Sequence, residues 1–133
     1  MHHSLCLTAE PIDEAALMLS RPPLQNDGAV LVFLGVVREL EGSEQLAALD
    51  YEAFRPMAEH QFNQLFGQAA ERWPSLASVR LVHRLGRVVV GETSLWLEVI
   101  APHRGEAFAA GQWLIDEMKR VVPIWKRTVS KPS

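Results

Sequence analysis

Residues 94–122 have the sequence SLWLEVIAPHRGEAFAAGQWLIDEMKRVV, in which a strand pattern is followed by a helix pattern. Residues 94–100 form a short run rich in apolar and aromatic residues, which predicts a strand. In residues 104–122 the apolar positions recur every three or four residues, which predicts the longest helix, and Pro123 ends it. At about 100° per residue, one side of this helix is apolar and is expected to contact the core: Ala107, Phe108, Ala110, Gly111, Leu114, Ile115, Met118 and Val122.

The rest of the chain supplies further strands and helices without a regular strand–helix–strand repeat. Apolar or alternating runs between turn residues predict strands at residues 4–8, 29–37, 46–54, 79–84, 87–90 and 124–129. Helices are predicted at residues 11–20 and 56–73, because each segment begins with a proline, which is favoured in a first helical turn. This irregular order of elements predicts the α+β class.

Three local predictions accompany the strands. Residues 29–37 are almost continuously apolar, which predicts a buried strand, with a bulge or a close backbone approach at Gly35. The polar, glycine-containing segment 39–47 predicts a mobile loop. Gly86 and Gly91 separate the strands around them and predict hairpin connections.

The composition limits the classes of function. A chain of 133 residues has the length of one domain, so a single domain over residues 1–133 is predicted. A net charge of −3 predicts no nucleic-acid-binding surface, and no apolar run is long enough to span a membrane. The one cysteine, Cys6, excludes an internal disulfide and fits a reduced cytoplasm, and the first residues lack the pattern of a secretory signal.

All three lysines, Lys119, Lys126 and Lys131, lie in the last fifteen residues, whereas every earlier fixed cation is an arginine. Burial readily shifts a lysine towards its neutral form, which allows proton transfer near neutral pH. Lys119 lies at the rim of the predicted apolar face, where its ammonium can be partly desolvated. The same position equally suits a surface lysine that stabilises the C-terminal end of the helix dipole.

His103 and Arg104 stand at the start of the predicted long helix. A helix N-terminus beside an arginine favours an anion, although both residues can also simply cap the helix. Arg104 and Lys119 are fifteen positions apart, or about 22 Å along a helix, so a pocket that uses both needs a second copy of the chain. Lys126 can fold back beside Lys119 after a proline-enforced reversal, and Arg38 is a further candidate for that pocket.

Other arrangements of polar residues carry less information. The His83-Arg84 pair lies within a predicted strand and is interpreted as structural. Trp113 lies off the apolar face, which predicts either an interface or cover by the chain's own termini. No metal-ligand spacing, serine-nucleophile elbow or glycine-rich phosphate loop is present, so a metal hydrolase, a triad hydrolase and a nucleotide-binding module are disfavoured. The histidines relevant to a metal are scattered at His60, His83 and His103.

Six stretches between residues 28 and 127 occur together in one order: GAVLVFLGVVRE, LDYEAFRPMAE, ERWP, VHRLGRVVVGE, APHRGEAFAAGQWLIDEMK and VPIWKR. In this combination the chain resembles the catalytic (large) subunit of molybdopterin synthase. The resemblance implies an α/β hammerhead-like fold with an additional antiparallel β-sheet. It also implies a homodimer in which each protomer binds a small ubiquitin-like sulfur carrier, giving a heterotetramer.

The implied reaction is a sulfur transfer. The thiocarboxylated C-terminus of the carrier enters the large subunit and converts cyclic pyranopterin monophosphate to molybdopterin by building its dithiolene. No metal or organic cofactor is implied, because the carrier brings the sulfur in activated form. The resemblance assigns Lys119 and Lys126 as active-site lysines, and it assigns as substrate-binding residues Val36, Val37, Arg38, His103, Arg104, Lys119, Lys126, Arg127 and Thr128.

Two features depart from the family's pattern. Thr128 stands where the family usually has an acidic residue, and the sequence ends at Ser133, where the family often continues with a tail that carries another arginine. These departures leave an alternative, namely a non-catalytic homologue that binds the carrier but lacks turnover because of the short tail.

Overall fold

The structure, a computed structural model, describes residues 1–132 and is built from two β-sheets and three helices within that range. The strands are β1 His2–Thr8, β2 Ala29–Val36, β3 Leu40–Glu41, β4 Glu44–Ala53, β5 Ser78–Arg84, β6 Gly86–Val89, β7 Thr93–Ala101 and β8 Ile124–Ser130. The helices are α1 Glu14–Leu19, α2 Arg55–Arg72 and α3 Arg104–Val121. The predicted α+β class with an additional antiparallel sheet is confirmed.

The first sheet has the strand order β1-β5-β7-β2, in which only β1 and β5 run parallel. Helices α2 and α3 pack on one face of this sheet and form the main core with it. Gly111 lets α3 lie close to β2, since a Cβ at this position would lie 2.7 Å from Cδ2 of Leu31. Alternate strand residues such as Leu81, Leu97 and Val99 fill the space beneath the helices.

The opposite face of the first sheet carries α1 and a buried ionic network. Glu98 is fully enclosed and accepts hydrogen bonds from Nε of Arg80 and Nε of Arg21, each at 2.8 Å. The Arg80 guanidinium also donates to the carbonyl oxygen of Leu17 at 2.7 Å, at the C-terminal end of α1. Arg80 therefore ties the short helix to the sheet. Helix α1 begins after Asp13, later than predicted, because the Asp13 side chain accepts from the first-turn N–H of Ala16.

The second sheet is antiparallel and is centred on β4, which pairs with β3, β6 and β8. The prediction of a mobile loop at residues 39–47 is wrong, because this segment forms the β3–β4 hairpin. Gly42 has φ 63°, which the first position of a tight hairpin turn requires and which glycine adopts without strain. Polar residues had indicated a loop, although they are equally suited to the exposed face of a hairpin.

The prediction of hairpins around Gly86 and Gly91 is also wrong in its pairing. Both glycines do break strands, with φ values of 80° and 90°. However, β5 already pairs with β1 on one side and β7 on the other. It has no free edge, so β6 leaves the first sheet and pairs with β4 in the second.

The prediction that residues 29–37 form a buried strand is wrong in its burial. Strand β2 forms with the predicted bulge after Gly35, but it lies at the edge of the first sheet, and Val32, Phe33 and Leu34 are each about 40% exposed. Phe108 was expected in the core and is 61% exposed, because it lies at the margin of the α3 arc, beyond the reach of the sheet. None of the helices within residues 1–132 combines the length and the apolar character needed to cross a membrane.

Candidate active site

A cavity of about 710 Å³ lies at the C-terminal end of α3, between the two sheets. It is lined by the end of β2 and the residues that follow it, by β3, β4, β5 and β7, by the last turn of α3, and by the start of β8. The lining includes five of the residues predicted for the site, namely Val36, Val37, Arg38, Lys119 and Lys126. Residues that are far apart in sequence thus meet at one place.

Lys126 reaches this cavity because the chain reverses between α3 and β8. Val122 caps α3 in an extended conformation, and β8 begins at Ile124 after Pro123. Side chains alternate along a strand, so Ile124 and Lys126 face the cavity together, whereas Trp125 does not line it. The prediction that Lys126 folds back towards the Lys119 end of the helix is confirmed.

The cavity is predominantly cationic. Arg38, Lys119 and Lys126 bring three positive charges, and Glu41 from β3 brings one negative charge. The Glu41 carboxylate lies 3.4 Å from Nζ of Lys126, whereas Lys119 forms no ion pair with the residues that the structure describes. Lys119 is exposed in the single chain, so the partial burial expected for it is not observed. Such a cavity favours a ligand with more than one negative charge.

His103 and Arg104 lie at the other end of α3, in a second concavity of about 580 Å³. This concavity and the lysine cavity have no lining residue in common. His103 stands at the N-cap position, but its side chain makes no capping hydrogen bond and is 82% exposed. Gly28 is needed here, since a Cβ would lie 2.8 Å from the carbonyl oxygen of Pro102.

Arg127 and Thr128 lie outside the linings of both cavities. The Arg127 guanidinium donates to a carboxylate oxygen of Glu52 at 3.1 Å, and Thr128 is exposed on β8. Lys131 forms an ion pair with Glu39 and is likewise absent from both linings. Of the three lysines, two therefore belong to the candidate site.

Four further polar residues line the lysine cavity and were not predicted: Glu41, Tyr51, His83 and Ser94. His83 was interpreted as structural, but the alternation of β5 places it on the same face as Val79 and Leu81, which point to the interior. That alternation is the sequence signal that could have revealed it.

Trp113 is half-buried, and within the chain the end of α2, not a chain terminus, lies against it. It packs edge-on against Trp73 with ring centroids 5.7 Å apart, and the Arg72 guanidinium lies 4.9 Å from its ring centre. The C-terminal end of α2 thus covers Trp113 within the chain.

The sequence profile of the family described as MoaE protein matches residues 7–121. The chain belongs to this family. Among curated relatives, the molybdopterin synthase catalytic subunit of Staphylococcus carnosus is 40% identical over 104 residues, which cover 78% of this chain and 69% of that protein. The molybdopterin synthase catalytic subunit of Bacillus subtilis is 32% identical over 123 residues, which cover 92% of this chain and 77% of that protein.

Solved structures with the same fold support this assignment. Molybdopterin synthase from Staphylococcus aureus superimposes with a TM-score of 0.85 at 32% identity, covering 96% of this chain and 91% of that one. A complex of subunits 1 and 2 of molybdopterin-converting factor from Helicobacter pylori gives a TM-score of 0.72 at 20% identity, covering 98% and 90% of the two chains, a likeness of fold. The family and the fold implied by the six sequence stretches are thereby confirmed.

Proposed function

We propose that this chain is the catalytic subunit of a molybdopterin synthase. It transfers sulfur from the thiocarboxylated C-terminus of a small ubiquitin-like carrier to cyclic pyranopterin monophosphate, and so forms the dithiolene of molybdopterin. The observation that carries the proposal is that one cavity brings together Arg38, Lys119 and Lys126 from three separate segments of the chain. The name shared by the relatives from S. carnosus and B. subtilis supports it.

The charges of the cavity suit this chemistry. Both the substrate phosphate and the thiocarboxylate are anions, and negative charge develops on the carrier's acyl oxygen while sulfur is transferred. Fixed cations stabilise such charge most effectively in a site from which water is excluded. Lys119 is assigned to the carrier terminus, and Lys126 to the substrate, whose phosphate replaces Glu41 as the partner of the ammonium.

We further propose that the complete site is formed by two copies of the chain. Arg104 and Lys119 lie at opposite ends of α3 and line separate concavities. A two-fold dimer would bring the Arg104 end of one copy to the lysine cavity of the other. The exposed apolar residues at the edge of the first sheet and on α3, including Phe33, Leu34 and Phe108, supply a surface for that contact.

The carrier is assigned to the mouth of the lysine cavity, and two carriers on a homodimer give a heterotetramer. The relative with the S. aureus structure is a molybdopterin synthase, and the H. pylori structure is a complex of two different subunits. We place the protein in the cytoplasm, where its exposed free thiol at Cys6 would remain reduced.

Reconstitution tests the proposed activity directly. The chain is mixed with thiocarboxylated carrier and cyclic pyranopterin monophosphate, and the product is measured by fluorescence after oxidation. Lys119→Ala should reduce the rate by about 10²- to 10³-fold, the range typical of losing one group that stabilises developing negative charge. Lys131→Ala is the matched control, since Lys131 lies outside the cavity, and should retain the wild-type rate.

Two outcomes of this assay contradict the proposal in different ways. Full activity of Lys119→Ala would remove the lysine cavity from the mechanism. Carrier binding by the wild-type chain without any product would instead support the non-catalytic alternative.

Complementation tests the shared site. Arg104→Ala and Lys119→Ala chains are each expected to be inactive. After exchange of subunits, half of the dimers are mixed and each mixed dimer has one intact site, so about one quarter of the wild-type sites should return. No recovery, despite demonstrated exchange, would show that each site uses residues of one chain only.

A further inference from the structure

His83 is a buried histidine in the wall of the lysine cavity. Only 5% of the residue is exposed, and its ring packs edge-on against Tyr51 with centroids 5.1 Å apart. Tyr51 lies directly opposite Lys126 in the β4–β8 pairing, so the two side chains stand side by side on the cavity face. His83, Tyr51 and Lys126 therefore form one continuous part of the wall.

The hydrogen bonding of His83 fixes which ring nitrogen carries the proton. Nδ1 lies 2.7 Å from the carbonyl oxygen of Arg84. A carbonyl oxygen only accepts, so Nδ1 donates, and Nε2 of the neutral ring holds the free lone pair. Nε2 makes no hydrogen bond within residues 1–132 and is not fully enclosed, and His83 is one of the residues that line the cavity.

The surroundings of His83 favour its neutral form. Burial lowers the pKa of His83 below the usual 6.5, and the hydrogen bond to Arg84 offsets this only in part. Five other titratable or charged groups share the cavity with His83: Arg38 after β2, Glu41 on β3, Tyr51 on β4, Lys119 on α3 and Lys126 on β8. Strand β7 contributes no such group to the cavity. Three of these five groups are cations, which disfavour a further positive charge on the ring.

We propose that His83 is the proton acceptor for release of the carrier, a catalytic role that rests on the proposed sulfur transfer. Once the thiocarboxylate sulfur has bonded to a pterin carbon, it still joins the carrier's acyl carbon as a thioester. Water adds its oxygen to that acyl carbon and gives one proton to Nε2 of His83. The carbon–sulfur bond to the carrier then breaks, the carrier leaves as a carboxylate whose proton passes to solvent, and the sulfur stays on the pterin as a thiolate.

The different roles of the lysines and of His83 follow from their charges. An ammonium of Lys119 or Lys126 has no lone pair and cannot accept a proton from water, but it can stabilise the leaving thiolate. A neutral imidazole with a fixed tautomer can accept that proton at once. His83 thus supplies the function that a cluster of cations lacks.

His83→Asn is the decisive variant, with His60→Asn as its control. The asparagine amide nitrogen takes the place of Nδ1 and can still donate to the Arg84 carbonyl, but nothing replaces Nε2. Under single turnover, intact-protein mass spectrometry should show a carrier–pterin adduct whose decay is slowed about 10²-fold or more, with carrier affinity unchanged. His60 is exposed on α2, so in His60→Asn the carrier–pterin adduct should decay at the wild-type rate.

The pH dependence of the wild-type chain provides a second test that needs no folded variant. Adduct decay should slow as the pH falls through the pKa of His83, and the midpoint should equal the one measured for the His83 ring by NMR. Unslowed decay in His83→Asn, or a kinetic midpoint that differs from the NMR midpoint, overturns the role of His83 alone. Absence of product from the wild-type chain would overturn the proposed function and this role with it.

Discussion

Replacing Glu98 by glutamine should destabilise the fold strongly without changing its shape. Glu98 is fully enclosed and accepts three hydrogen bonds, from Nε and Nη2 of Arg80 at 2.8 and 3.1 Å and from Nε of Arg21 at 2.8 Å. Glutamine would turn one accepting oxygen into an NH₂ group that faces an arginine N–H. It would also leave two guanidinium groups without their shared counter-ion.

The expected loss is large for a single substitution. Removing one partner of a buried ionic network costs about 3–5 kcal/mol. In a domain of this size such a loss lowers Tm by roughly 10–20 °C. Asp50→Asn is the matched control, because it breaks the Asp50–Arg87 ion pair, which is also held by two hydrogen bonds but lies on the surface and should shift Tm little.

The assay is thermal unfolding followed by circular dichroism at several pH values. Burial acts to raise the pKa of Glu98, but hydrogen bonds from Arg80 and Arg21 outweigh it and hold that pKa below 4.5. The stabilisation by this carboxylate is therefore present near neutral pH and is lost as the pH falls through the lowered pKa. The difference in Tm between the wild type and Glu98→Gln should therefore become smaller at acidic pH. A Glu98→Gln Tm no lower than that of Asp50→Asn would refute the reasoning.

Two further stability predictions follow from single positions. Gly28→Ala should lower Tm, because the added Cβ would lie 2.8 Å from the carbonyl oxygen of Pro102. Gly67→Ala should instead stabilise the protein by up to about 1 kcal/mol, because this position on α2 faces open space and alanine favours a helix. Thermal unfolding measures both effects. Because the pKa of His83 is lowered in the folded chain, the unfolded chain takes up this proton at a higher pH than the folded chain does. Between pH 6.5 and the folded-state pKa, each pH unit of acidification should therefore lower the free energy of unfolding by about 1.4 kcal/mol. Denaturant titrations at several pH values should show this slope in the wild type and not in His83→Asn.

Periodicity in the sequence was sufficient to locate most helices and strands, but it could not determine how they pair. The long helix and the strands around it follow from spacing that depends only on near neighbours in the chain. Pairing depends on which edges are free, so the departure of β6 from the first sheet becomes apparent only once both edges of β5 are known to be occupied. Phe108 shows the same limit. Helical periodicity indicates which side of α3 faces the core, but not how far the first sheet extends beneath that side.

The candidate site was predicted in part. Reasoning from the residues separated Arg104 from Lys119, brought Lys126 back towards Lys119 and included Arg38 as a candidate. The resemblance added Val36 and Val37. His83 was missed because a histidine followed by an arginine within a strand suggested a structural pair. What gives His83 its significance is the neighbouring second sheet, which leaves the end of β5 facing a cavity instead of packed interior.

Helix α3 carries a proposed binding element at each end and close packing in its middle, and this limits how the chain can change length. One inserted residue would turn everything beyond it by about 100° and displace it by about 1.5 Å. Lys119 would then swing away from its cavity, or Gly111 would no longer meet Leu31. Natural and engineered changes in length should therefore be tolerated at the exposed β3–β4 turn around Gly42 and be almost absent from residues 104–121.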